Sequence, residues 1–174
     1  MKGLLIQPPS GDPLSDRIFL FEPLALEYLG AGLKPDGHVV ELLDARLTPA
    51  IESACRRFQP QVVGLTGYTS QLNIVKDIAA RLKAALPDVR IVVGGHHATV
   101  RPDDFNTPVI DAVVIGEGVF TLREIVRAIE AGNGLLDMMG VAVPTPEGMR
   151  FGPPRRYTDL NELPFPERSL TAGH

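Results

Sequence analysis

The chain has 174 residues, a formal net charge of −4 and 44% hydrophobic residues, enough for one domain of ordinary size with a real core. Its Lys and Arg residues are scattered, so neither a nucleic-acid footprint nor a basic membrane-surface helix is expected, and no apolar run reaches membrane-spanning length. The single cysteine, Cys55, excludes an internal disulfide. Lys2 leads directly into a strand, so no signal peptide is read and the expected compartment is the cytoplasm.

Gly3 to Gln7 reads as a first strand, stopped by Pro8-Pro9-Ser10-Gly11. The segment to Phe21 carries no periodic pattern and reads as irregular. A helix is expected from Pro23, at its first position, with Leu26, Leu29 and Leu33 on one face and Pro35-Asp36-Gly37 as its stop. His38 to Leu43 is the second strand. Thr48-Pro49 reads as a helix start, and Ile51, Ala54, Cys55 and Phe58 follow at helical spacing. Cys55 thus falls on the buried stripe, where a small core residue is the ordinary reading.

Gln61 to Thr66 is the third strand, running into Gly67-Tyr68-Thr69-Ser70-Gln71. A long helix follows, with Val75, Ile78, Ala79, Leu82 and Leu86 on one face and Pro87-Asp88 at its end. The fourth strand centres on Ile91-Val92-Val93 and meets Gly94 and Gly95, a pair that lets the backbone turn with φ > 0 and leaves room for a ligand. His96, His97 and Thr99 follow on that loop. Beyond it, Pro102 and Pro108 leave room for one helical turn at most. Ala112 to Ile115 is the fifth strand, ending at Gly116-Glu117-Gly118. The next helix shows Leu122, Ile125, Val126 and Ile129, with Gly132 as its C-cap.

Strand and helix alternate through these near-continuous apolar strands. The fold class is therefore α/β: a doubly wound, five-stranded parallel sheet, Rossmann-like, with the flavodoxin-type order 2-1-3-4-5 and helices on both faces. After Gly134 the texture changes. Val141 to Val143 and Met149 to Phe151 make a small hairpin around Pro144-Thr-Pro-Glu-Gly148. Pro153 to His174 is proline-rich and charged, and reads as a loosely packed linker. The expected division is 1–133 for the α/β domain and 134–174 for hairpin and linker.

In such a sheet the strand-end loops meet along one edge. Here they carry glycines, small hydroxyl residues and helix N-termini, suited to a large ligand with a phosphate and several hydrogen-bonding groups. A single strand-end glycine would mean only a tight turn; several loops together favour the ligand. Other chemistries lack their residues. There is no G-x-G-x-x-G after the first strand, no Walker lysine and no G-x-S-x-G. One cysteine cannot hold an iron–sulfur cluster or a Cys-rich zinc site. His96 and His97 point opposite ways on an extended backbone, and no third metal ligand is evident. A phospho-acceptor receiver would need a lysine at the fifth strand's end, where Gly116-Glu117-Gly118 stands.

Ser70-Gln71-Leu72 after strand three, Gly94-Gly95 after strand four and Gly116-Glu117-Gly118 after strand five resemble the cobalamin-binding domain. Gly94-Gly95-His96-His97-Ala98-Thr99 with Val114-Ile115-Gly116-Glu117-Gly118 is more similar to the version fused ahead of a radical S-adenosylmethionine domain. That group includes the anaerobic magnesium-protoporphyrin IX monomethyl ester cyclase and cobalamin-dependent radical methyltransferases. Leu5-Ile6-Gln7-Pro8-Pro9 and the tail from Asp159 to Pro166 resemble it too. Two features depart from the wider pattern. The Asp-x-His-x-x-Gly that follows strand one in classical cobalamin domains is replaced by Pro8-Pro-Ser-Gly-Asp-Pro-Leu-Ser15, without histidine. The Cys-x-x-x-Cys-x-x-Cys that holds the iron–sulfur cluster of radical enzymes is not in this chain.

The resemblance implies cobalamin bound base-off with no protein histidine on cobalt. It implies a radical S-adenosylmethionine domain in cis, with a 4Fe–4S cluster and S-adenosylmethionine, that carries out methyl transfer or oxidative cyclisation while this chain alone catalyses nothing. Residue by residue, Ser70 would hydrogen-bond the displaced dimethylbenzimidazole and Leu72 would begin the helix beneath it. Gly94 and Gly95 would give the nucleotide tail its channel. Gly116, Glu117 and Gly118 would contact the tail or the corrin edge. Tyr68, Thr69, His97, Ala98 and Thr99 would lie near the corrin. The alternative from the residues alone is a flavodoxin-like or receiver-like regulatory or interaction domain without cobalamin.

Overall fold

The computed structural model describes residues 1–172; Gly173 and His174, the end of the expected linker, lie outside the described residues. The architecture is α/β, with a mixed sheet of seven strands in the order β2-β1-β3-β4-β5-β6-β7. Strands β1 (Lys2–Gln7), β2 (Val39–Asp44), β3 (Val62–Thr66), β4 (Arg90–Gly94) and β5 (Ala112–Val114) are mutually parallel. The expected five-stranded, wholly parallel sheet is corrected at one edge. The hairpin β6 (Val141–Thr145) and β7 (Gly148–Phe151) joins the sheet, with β6 antiparallel to β5. Buried Val141 and Ala142 supply the apolar surface that docks it. That pairing also covers the edge that β5 would otherwise leave with open N–H and C=O groups.

The two faces of the sheet follow from strand periodicity. Leu4, Ile6, Val63, Leu65, Ile91 and Val93 point to one face, into a core completed by α3 (Ile51–Phe58) and α4 (Leu72–Ala85). Leu5, Val62, Val92 and Val114 point to the other, into a core completed by α2 (Leu24–Leu33) and α6 (Val119–Glu130). Cys55 is in the first core, 1% exposed, as the helical stripe predicts. On the second face Gly64 and Gly94 replace a large side chain. Thr66 stands one pleat beyond Gly64.

Several local boundaries differ from the sequence expectation. The segment expected to be irregular contains α1 (Pro13–Ile18), capped by the Asp12 side chain, which accepts from the N–H groups of Leu14 and Ser15. Pro23 is the cap of α2 and not its first residue, and α3 starts at Ile51, two residues past Pro49. The loop after β4 closes into a short helix α5 (His96–Val100), followed by the expected single turn at Pro102–Phe105.

The tail is not loosely packed throughout. Tyr157, Leu160 and Phe165 are exposed, but residues 167–171 dock on α2. The Glu167 N–H donates to the Glu27 carbonyl at 3.2 Å, and Leu170 packs with the second core. A linker reading failed here because the partner groups, Glu27 and Gly30, are distant in sequence.

Candidate functional site

Two cavities open along the C-terminal edge of the parallel strands. The deep one, about 280 Å³, lies between the sheet and helices α2 and α6. Its floor and walls include Gly64, Thr66, Val92, Gly94, Val114, Leu26, Leu29 and Leu122. It exists because the α2/α6 face carries glycine at positions 64 and 94, where its neighbours carry Leu or Val. The outer cavity, about 540 Å³, lies above the ends of β1 and β3 and includes Ser10, Phe19, Phe21, Arg46, Tyr68, Ser70, Gln71 and His96. Thr66, Gly95 and Ala25 border both.

The neck between them is fixed by backbone geometry. Gly95 has φ +94°, and a Cβ there would stand 2.5 Å from Thr66 Oγ1 and 3.0 Å from the Gly67 nitrogen. Gly116 has φ +81° with open space where a side chain would begin. Thr99 ties the two glycine loops together: its hydroxyl donates to the Gly95 carbonyl and accepts from the Gly116 N–H, both at 3.0 Å.

The expected site residues fall into groups. Gly94, Gly95, Gly116, Glu117 and Gly118 line the deep cavity. Tyr68 and Ser70 line the outer one, with Gly95 shared. Ser70 is exposed, in a single turn over Thr69–Gln71, and does not reach the deep cavity. Thr69, Leu72, His97, Ala98 and Thr99 line neither. Leu72 is the first residue of α4, and Ala98 is buried in the first core. The Glu117 carboxylate turns back to cap α6, accepting from the Val119 and Phe120 N–H groups.

His97 is 4% exposed. Its Nδ1 lies 3.1 Å from Thr69 Oγ1, its Nε2 lies 3.0 Å from Asp104 Oδ2, and its ring meets Phe105 edge-on. Both ring nitrogens are therefore engaged, so His97 supports the loop after β3 and does not present a free ligand. His96, by contrast, is exposed beside Tyr68.

Three residues were not among the expected site residues. Thr66 supplies the hydroxyl at the neck; its place as last residue of a strand hid it, although the spacing Gly64-x-Thr66 on one face was available. Gln71 is 4% exposed: its Nε2 donates to the Pro8 and Pro9 carbonyls and its Oε1 accepts from the Tyr68 N–H. It joins the loops after β1 and β3. Arg46 pairs with Asp44 through Nε and Nη2 and also donates to the Phe21 carbonyl, fixing the end of the loop after β1. That loop exposes Leu14, Ile18, Phe19 and Phe21, of which Phe19 and Phe21 line the outer cavity.

Among the described residues, no cluster of His, Cys, Asp or Glu could hold a metal ion and no helix is long and apolar enough to cross a membrane.

Comparison with known proteins gives a consistent picture. The model of the B12 binding domain family matches residues 17–126. The chain is 31% identical over 178 aligned residues to an uncharacterized methyltransferase of Pyrococcus horikoshii, covering 98% of this chain and 39% of that protein. It is 34% identical over 152 residues to the anaerobic magnesium-protoporphyrin IX monomethyl ester cyclase of Synechocystis, covering 82% of this chain and 30% of the cyclase. Among solved structures, the cobalamin-dependent S-adenosylmethionine radical enzyme OxsB, with aqua-cobalamin and S-adenosylmethionine bound, superposes with a TM-score of 0.80 at 19% identity. That match covers 98% of this chain and 24% of OxsB. At that identity the superposition speaks for the fold.

Proposed function

The chain belongs to the B12 binding domain family, and on that premise we propose that it is the cobalamin-binding module of a radical S-adenosylmethionine enzyme. The observation that carries the reading is the glycine-carved deep cavity, joined through the Thr66–Gly95 neck to an open cavity at the strand ends. The smaller, mostly apolar slot between sheet and helices suits the displaced dimethylbenzimidazole nucleotide of base-off cobalamin, and the larger, more polar cavity at the strand ends suits the corrin. The fit is tested by the neck itself: a Cβ at Gly95 would fill the passage. A regulatory or interaction domain without cobalamin would leave that cavity without a purpose.

In this reading Thr66, not Ser70, offers the hydroxyl nearest the base. Gly94 and Gly95 leave the channel clear. Gly116 and Gly118 bring the backbone of the loop after β5 to the ligand, while Glu117 holds that loop on α6. Tyr68, Ser70 and His96 face the corrin side. Thr69, His97 and Thr99 act by holding the loops in place, and Leu72 and Ala98 through packing. Cobalamin supplies a reactive cobalt for methyl or radical chemistry when bound; this chain's residues bind and orient it.

The segment 134–174 would lead toward a radical S-adenosylmethionine domain in cis, which would carry the 4Fe–4S cluster and act as methyltransferase or cyclase. The exposed, stacked Phe19 and Phe21 on the outer cavity support a protein neighbour there, since exposed apolar patches mark interaction sites. The whole would work in the cytoplasm.

Titration with hydroxocobalamin tests the proposal. A visible spectrum shifted to the base-off form is expected. Electron paramagnetic resonance of the reduced Co(II) state should show no nitrogen superhyperfine splitting. A splitting that disappears in His96→Ala would overturn the histidine-free version, and no binding at millimolar cobalamin would overturn the whole reading.

A further inference from the structure

We propose that the tail from Leu163 to Thr171 is a working part of the ligand site: it completes the wall of the deep cavity, so that ligand binding and tail docking form one linked equilibrium. The inference rests on the reading of that cavity as the nucleotide-tail pocket. It lies outside the stretch that the family model covers, which ends at residue 126.

Four observations carry it. Leu163 lines the deep cavity alongside Leu26 and Leu29 of α2. Leu170 seats in a notch made by Gly30, where a Cβ would collide with Leu170 Cδ1. Glu27 is 0% exposed, a rare state for a glutamate without partners. Those partners come from the tail: the Thr171 hydroxyl donates to Oε1 at 2.6 Å, and Arg168 Nε lies 3.5 Å from Oε2, which has no hydrogen bond. Finally, the middle of the segment is fastened by the Lys34–Glu167 and Arg168–Glu22 pairs, and before it Thr158 donates to Glu117 at 3.4 Å.

The physical logic is reciprocal. If the tail leaves α2, the cavity loses the Leu163 wall and Glu27 loses its partners. A ligand that fills the cavity offers Leu163 an apolar surface to close on, so it favours the docked tail. By linkage the docked tail raises ligand affinity by the same factor. In the docked state Glu27 Oε2 has the 3.5 Å ion pair with Arg168 but no hydrogen bond, so the buried carboxylate is incompletely satisfied. In this proposal the tail opens for a bulky ligand to enter.

Hydrogen exchange of residues 163–171, measured on the full chain with and without saturating hydroxocobalamin, tests this directly. Ligand should slow exchange in this segment by at least about fivefold, the lower end of ordinary coupling between sites. Leu170→Ala should speed ligand-free exchange in the same segment and weaken hydroxocobalamin binding by a similar factor, with an unchanged circular dichroism spectrum. Gly30→Ala should do likewise by filling the notch. If ligand leaves tail exchange unaltered and Leu170→Ala binds as the parent does, the tail is a linker and the inference is wrong. If the parent chain binds no hydroxocobalamin, the functional reading fails first and this inference falls with it.

Discussion

Thr66 and Gly95 meet at the neck between the two cavities: the hydroxyl oxygen of the one lies 2.5 Å from where a Cβ on the other would be. Neighbouring glycines therefore answer differently to the same substitution. At Gly94 an added Cβ would meet Val114 Cβ at 3.6 Å, an ordinary contact, and φ is not positive. Gly94→Ala should fold normally and weaken cobalamin binding by narrowing the slot. Gly95→Ala should lower stability by about 1–3 kcal/mol, the usual effect of a forced positive φ, and lose binding as well. Urea unfolding beside a binding titration separates the two. Equal stability losses at both positions would refute this account of the neck.

Thr66→Ala should weaken cobalamin binding by about 0.5–1.5 kcal/mol, the net value of one hydrogen bond. Ser70→Ala, at an exposed position in the outer cavity, should change it less. Calorimetric titration of both variants decides which hydroxyl serves the base.

Strands β1 to β5 were legible because β-branched and leucine runs, bounded by Gly and Pro, admit little else. The glycine loops were legible for the same reason. The attachment of β6 to β5 was not, because nothing in Val141-Ala142-Val143 announces its partner strand. Helix α1 was missed although Asp12-Pro13 is a sound N-cap and first-position pair; the preceding Pro8-Pro9 and Gly11 drew attention to breakage. His97 was placed near the ligand through the family resemblance. Its actual partners, Thr69 and Asp104, reach it only when the connection after β4 folds back on itself and meets the loop after β3. The tail's docking depends on a glutamate in α2 that sequence patterning would assign to solvent.

His97→Ala should lower stability by about 1–3 kcal/mol, since it strips a buried hydrogen-bonded group from between Thr69 and Asp104. The measurement is a denaturant midpoint at unchanged slope. Its effect on cobalamin binding should come through a looser loop after β3, seen as faster hydrogen exchange over residues 67–71.

Asp36 ties the end of α2 to α6. Hydrogen bonds from Arg123, then from Arg127, hold its carboxyl well below the ordinary carboxylate range. A depressed folded-state pKa means that the contribution is present above the unfolded value of about 3.9 and fades as pH falls toward the folded value. Stability should therefore decline from about pH 5 downward. Asp36→Asn should be less stable at neutral pH and show a shallower acid decline, read from unfolding midpoints across that range.

Burial pushes the Cys55 thiol up to about 11, and the side chain is 1% exposed. Ellman's reagent should leave it unmodified in the folded chain at pH 8 and label it promptly in urea. Prompt labelling without denaturant would contradict its place in the core.

The hairpin at the sheet's edge has a consequence of parity. Strand β6 runs against β5 and β7 runs back again, so the chain emerges at Gly152 on the edge where the two cavities open. An odd number of added strands would deliver it to the opposite edge. Because the emerging segment starts beside the cavity, its closure is an intramolecular event. A short tether of this kind acts at an effective concentration of roughly millimolar, so weak individual contacts suffice to seat Leu163 and Leu170. Supplied as a separate peptide, the same residues would have to reach that concentration in bulk.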